Sequence, residues 1–278
     1  MTRVGTELEP VRAALADAVG RAGTLIASMD APDRTASRLT WSLAETAAHM
    51  VVGLRGYADS ARGTLDVWQK HIPAAEEVFS ERLSAMTASS LDAVPQRDPG
   101  TLARLLGEAA EGFLAVTAGL PADQPLDTPW YGDGETLRLG EATALLLGEQ
   151  LVHGHDLATT LGRPWPIARA EALMVVEAAK AMLPRAVCPD TTLDVDLTYA
   201  LHLRGGDGFT IRVLRGTAAI EPLGSRRADC HLNFDPAAFL LVGYGRISAR
   251  AAIARGRALS YGRRPWLALR FKTLFVDP

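Results

Sequence analysis

Residues 141–161 read EATALLLGEQLVHGHDLATTL, a stretch apolar almost all round whose ionisable residues are Glu141, Glu149, His153, His155 and Asp156. It opens after Gly140 and stops at Gly162, which predicts one long helix deep inside a bundle. Glu149 and His153 are four residues apart, one turn plus about 40°, so both leave the same face and can share one ion. His155 lies roughly 200° around from His153 and cannot join them. Asp156, three residues beyond His153, is placed either to accept the other ring N–H or to cap a neighbouring group. Leu145, Leu146, Leu147, Leu151 and Val152 surround Glu149, so an unpaired carboxylate there would be costly to bury. Either an ion compensates it, or the histidines are ordinary hydrogen-bonded core residues.

A third ligand comes from upstream. Ser42 followed by Glu45 is a capping-box pattern that opens a helix running to about Ala61, with Leu43, Ala47, Met50, Val51 and Leu54 as its apolar stripe. If this helix lies beside the one at 141–161, His49 completes a set of two imidazoles and one carboxylate around an open position, the arrangement of catalytic zinc. Two further bundle helices are read at Glu7 to Met29 and at Gly100 to Gly119, the latter opened by Asp98 and Pro99. Between them Pro73 divides 64–90 into a short helix and a connection. Residues 128–139, TPWYGDGETLRL, predict a small hairpin, with Trp130 and Tyr131 either lining a pocket or packing the hairpin itself. A fifth helix is expected at Ile167 to Met182, and Pro184 to Thr191 reads as a boundary between domains at 1–184 and 190–278.

Beyond that boundary the period changes. Residues 192–203 alternate as TLDVDLTYALHL, and with Phe209 to Val213 and Ala228 to Phe234 they predict three or four antiparallel strands. Helical segments return at 236–242, 248–254 and 265–275, giving an α+β chain of two domains. The 278 residues are 48% hydrophobic and 22% charged, an ordinary globular composition that excludes disorder. A net charge of −3 gives no positive field for a nucleic-acid backbone. The first twenty residues carry acids and no signal-peptide apolar run, and no stretch approaches the ~20 apolar residues that span a bilayer. Cys188 and Cys230 stand in no metal or redox spacing, so a reducing cytoplasm is the expected compartment, with no membrane partner.

Three segments, Trp41-Ser-Leu-Ala-Glu-Thr-Ala-Ala-His49, Thr128-Pro-Trp-Tyr131 and Gly148-Glu-Gln-Leu-Val-His-Gly-His-Asp-Leu-Ala158, resemble the signatures of the mycothiol-dependent maleylpyruvate isomerase family. The resemblance implies a DinB-like up-down-down-up four-helix bundle followed by a small sterol-carrier-like α+β domain. It also implies His49, Glu149 and His153 as ligands and catalytic centre for a divalent metal, with zinc the first candidate. Mycothiol would be the thiol cosubstrate, its sulfur at the open metal position, where a thiol becomes the nucleophilic thiolate. Addition to a small electrophile then ends as cis–trans isomerisation or as S-transfer. His155 departs from the family, whose members commonly carry Trp there, and this bears on the substrate more than on the metal. Residues 256–270 resemble the sterol-carrier-like end, with Arg246 or Arg250 reading as a grip for a carboxylate of substrate or thiol or as part of a solvated basic face. Two other readings stay open: a metal-hydroxide hydrolase, and a noncatalytic small-molecule or lipid carrier. Oligomeric state is not legible.

Overall fold

The computed structural model describes residues 8–73 and 79–276; Glu7, the expected start of the first helix, and residues 74–78 of the expected connection lie outside them. Two compact units divide between Pro166 and Ile167.

The first unit is built on α1 (Leu8–Ala27), α2 (Leu43–Arg62), α4 (Pro99–Val116) and α5 (Leu139–Leu161), with the shorter α3 (Phe79–Ser90) between them in sequence. Each of α1 and α2 packs against both α4 and α5. Side-chain contacts fix their directions. Arg12 near the start of α1 bonds to the Leu114 carbonyl near the end of α4, so these two are antiparallel. Arg21 toward the end of α1 bonds to Pro166 O just past α5, so α1 and α5 run parallel. Gly112 toward the end of α4 faces the guanidinium of Arg62 at the end of α2, which makes that pair parallel. The bundle is therefore up-down-down-up, as expected.

The caps follow the sequence. Ser42 Oγ accepts the Glu45 N–H and Glu45 Oε2 accepts the Ser42 N–H, closing the capping box of α2. Asp98 Oδ1 caps α4 through the Thr101 N–H, with Pro99 in the first turn. Gly162, at φ 65°, ends α5 in the left-handed conformation that glycine adopts without a Cβ clash. The hairpin differs from expectation: its strands are β1 (Pro125–Asp127) and β2 (Thr136–Arg138), so Trp130 and Tyr131 sit in the turn between them. Pro129, which has no N–H to give a ladder, keeps 128–131 out of the strand.

The second unit begins with α6 (Arg169–Ala179), which the sequence had assigned to the bundle. Its apolar stripe shows that the helix needs a core but not which one. Val176 and Leu173 join the core of the sheet module, so the boundary falls at 166/167 rather than at 184–190. After the single turn α7 (Pro189–Thr192), five strands follow: β3 (Asp196–Leu203), β4 (Phe209–Leu214), β5 (Thr217–Pro222), β6 (Cys230–Phe234) and β7 (Ala258–Tyr261), in the order β5-β4-β3-β6-β7. Leu197, Tyr199, Leu201, Ile211, Val213, Leu232 and Phe234 point into one core, joined by Phe239 and Val242 of α8 (Pro236–Gly243). The helix α9 (Ala249–Ala254) leads into β7.

Three expectations are corrected here. The strands β5 and β7 extend the sheet beyond the three quoted segments. Pairing of β6 with β3 is parallel, because the chain crosses from the β5 edge through 223–229 to the far side of β3. The expected helix at 265–275 is instead two 3-10 segments, Pro265–Leu269 and Phe271–Leu274. Ala268, Phe271 and Leu274 are buried three apart, which is the 3-10 period.

Candidate metal centre

Antiparallel packing of α2 on α5 brings His49 to Glu149 and His153. Nε2 of His49 and Nε2 of His153 each lie 3.2 Å from the same Glu149 oxygen, Oε2. The two imidazoles meet edge-on with centroids 5.0 Å apart, and Trp41 closes one side at 5.1 Å from His49 and 6.5 Å from His153. One ligand atom from each of the three residues falls within a 4.8 Å group. A tetrahedral ion with bonds of about 2.0–2.1 Å sets its ligand atoms about 3.3 Å apart, so the 3.2 Å separations fit such an ion with little movement. A His-Glu-His set suits zinc and other first-row divalent ions.

The surrounding electrostatics are those of a site held together by protons. His153 Nδ1–H donates to Asp156 Oδ2 at 3.2 Å, the orienting bond expected from the three-residue spacing, and Asp156 is fully buried. Both ring nitrogens of His153 thus face carboxylates. Burial of this imidazole lowers its pKa, but Asp156 and Glu149 outweigh burial and push it up to about 9. Burial likewise raises the Glu149 carboxyl, and the bonds from His153 and His49 overcome it, holding the group well below the usual carboxylate range. His155 stands apart, its Nδ1 4.0 Å from Asp156 Oδ1 and off the ligand face.

These shifts have a pH signature in chelator-treated protein. The His153 pKa is raised above its ordinary 6.5, so its contribution to stability is complete below 6.5 and lost as pH rises through 9. The Glu149 contribution is present above the ordinary 4.5 and lost as pH falls. The urea midpoint of metal-free protein is expected to fall between pH 6.5 and 9, and His153→Gln is expected to flatten that fall. An unchanged slope in the variant would remove His153 as its source.

Sequence reasoning missed Tyr57, which continues the buried stripe of α2 past Leu54. A buried tyrosine on such a stripe needs a partner for its hydroxyl, and that signal was available. Tyr57 and Tyr131 share a hydrogen bond between hydroxyls at 3.0 Å, and Trp130 packs edge-on against Tyr57 at 5.0 Å. Burial, then Tyr131, raises the Tyr57 pKa well above 10, and the Glu149 charge acts in the same direction. The turn carrying these aromatics is anchored by Ser60 Oγ donating to Asp127 O and by buried Arg82 donating to Pro129 O. Trp130 is buried and Tyr131 half-buried, so the first packs the turn while the second keeps an open edge. Arg246 and Arg250 belong to the second unit; Arg246 donates to the Tyr244 carbonyl, and Arg250 borders a surface groove with Ile253 and Trp266.

No protein-family model matches the chain, and no curated protein matches it by sequence. Among solved structures, the crystal structure of the mycothiol-dependent maleylpyruvate isomerase superposes with a TM-score of 0.53 at 12% identity, covering 91% of this chain and 92% of that one. A histidine-to-alanine variant of that enzyme gives 0.54 at 11% identity over the same shares. At such identity the likeness speaks for the fold. The match spans nearly the whole of both chains: this protein has the two-domain fold of the mycothiol-dependent maleylpyruvate isomerase.

Proposed function

We propose that the chain is an enzyme that activates mycothiol at a divalent ion held by His49, Glu149 and His153 and adds it to a small electrophile. The observation that carries this reading is the convergence of those three residues from helices distant in sequence, within the fold of an isomerase that depends on the same thiol. Bound there, the ion would supply the positive charge that takes a thiol to its thiolate near neutral pH.

The rest is work for the chain's own residues. Asp156 fixes the Nδ1 proton of His153 and so aims the Nε2 lone pair inward. Trp41 walls off one side against water. The Tyr57–Tyr131 pair offers a hydroxyl hydrogen bond to an oxygen of the electrophile, and the high Tyr57 pKa keeps that proton in place. Reversal of the addition after bond rotation gives cis–trans isomerisation; an adduct that persists gives S-transfer. Free Cys188 and Cys230 are in keeping with a reducing cytoplasm.

The test is turnover of maleylpyruvate by metal-loaded protein with mycothiol, without thiol, and with His49→Ala in place of the parent. Thiol-dependent turnover lost in His49→Ala supports the reading. Metal-dependent turnover that ignores thiol would replace it with the hydrolase. Tyr57→Phe is expected to lower kcat roughly tenfold while leaving metal content unchanged, the scale for a lost hydrogen bond to a developing charge. Steady-state kinetics beside metal analysis checks this, and equal kcat would remove Tyr57 from the chemistry.

A further inference from the structure

Large apolar side chains are exposed at eight described positions, and five of them, Ile253, Leu259, Tyr261, Trp266 and Leu269, fall within seventeen residues of one another in sequence. Scattered single exposures need no explanation; a concentration does. Ile253, Trp266 and Leu269 line one open groove of about 410 Å³ on the second unit, and Trp266 is 64% exposed. Leu259 and Tyr261 alternate with the groove-lining Ser260 along edge strand β7, so they are exposed on the other side of that strand, Tyr261 stacked on the His231 ring at 4.9 Å.

The charge of this segment is one-sided. From Pro236 to Val276 the chain carries seven Arg and one Lys and not one Asp or Glu. Arg257 is held by Asp235, while Arg263 and Arg264 reach Asp229 only at 4.0 and 3.7 Å. Arg263, Arg264 and Arg270 flank the Pro265–Leu269 turn that carries Trp266 and Leu269.

We propose that this face docks on an anionic phospholipid bilayer, with Trp266, Leu269 and Ile253 entering the headgroup boundary and the arginines meeting lipid phosphates. Charge complementarity selects an anionic partner, and shape selects a surface. A small ligand needs a concave site that covers most of it, whereas here the groove is open, Trp266 is largely exposed, and further apolar side chains are exposed across the edge strand. Aromatic rings within a cationic rim match the bilayer interface. The proposal is independent of the chemistry at the metal centre.

The experiment is co-sedimentation of the full chain with phosphatidylcholine vesicles containing about one-third phosphatidylglycerol, beside phosphatidylcholine alone. Binding roughly tenfold tighter to the anionic vesicles, weakened by salt, is expected. Trp266→Ser with Leu269→Ser is expected to reduce it about tenfold, and Arg263→Gln with Arg264→Gln to reduce it and shrink the salt dependence, all with unchanged circular dichroism. Equal binding to both vesicles, or full binding by the serine pair, would overturn the proposal. So would saturable uptake of monomeric dodecyl phosphate without vesicle binding, which would make the groove a small-ligand site.

Discussion

Glu149→Ala is expected to take the protein from about one divalent ion per chain to less than a tenth of that after dialysis against a weak chelator. The carboxylate is the hub of the centre: one oxygen stands 3.2 Å from each histidine, so its loss leaves two imidazoles with nothing between them. A two-nitrogen site holds zinc far more weakly than a three-ligand one. The same substitution removes one of the two carboxylates that keep His153 protonated, so the histidine titrates closer to 6.5 and the pH slope of the metal-free protein flattens. His155→Ala is the matched control. It alters a neighbour off the ligand face and should keep the ion while changing substrate preference. Inductively coupled plasma mass spectrometry of the three proteins decides it. An ion retained in Glu149→Ala, or lost in His155→Ala, would put the centre on another face of α5.

The second large effect is steric. Gly154 directly follows His153, and a Cβ built there comes within 2.1 Å of the Trp165 ring, far inside any tolerated contact. The ring is not free to move: its Nε1–H donates to Leu151 O at 2.9 Å, and the Arg21 guanidinium stacks over it at 4.9 Å. Gly154→Ala must therefore expel the indole, breaking the hydrogen bond and opening the side of α5 that it covers. A destabilisation of about 2–4 kcal/mol is expected, above the small gain alanine offers in helix propensity. Urea unfolding measures it. Trp165→Ala should remove most of the added cost in the double variant, because the two changes share one contact. A single variant within about 0.5 kcal/mol of the parent would show that the strap after Gly162 yields easily.

Much of this was legible in the sequence, for identifiable reasons. The capping box at Ser42, the Asp98–Pro99 start and the Gly162 stop are local signals, and each marks a helix end in the structure. Glu149 and His153 were legible because four residues in a helix is a fixed geometry, while His49 needed the family resemblance to say which helices touch. What escaped was nonlocal. The parallel pairing of β3 with β6 depends on a crossover with no residue signature, and allotting α6 to the second unit depends on which core receives Val176. The need of a buried Tyr57 hydroxyl for a partner was legible; that the partner is Tyr131, in a turn 74 residues away, was not.

His49 and Glu149 are 100 residues apart in the chain. An ion held between them would act as a removable cross-link across most of the bundle, and closing a loop of that length is worth about 4–5 kcal/mol in the chain-entropy account. Loaded and empty protein would then differ in lifetime as well as in chemistry, since proteases act on the fraction that opens. A cell short of the metal would lose the protein itself, and abundance would report metal supply before any assay of turnover did.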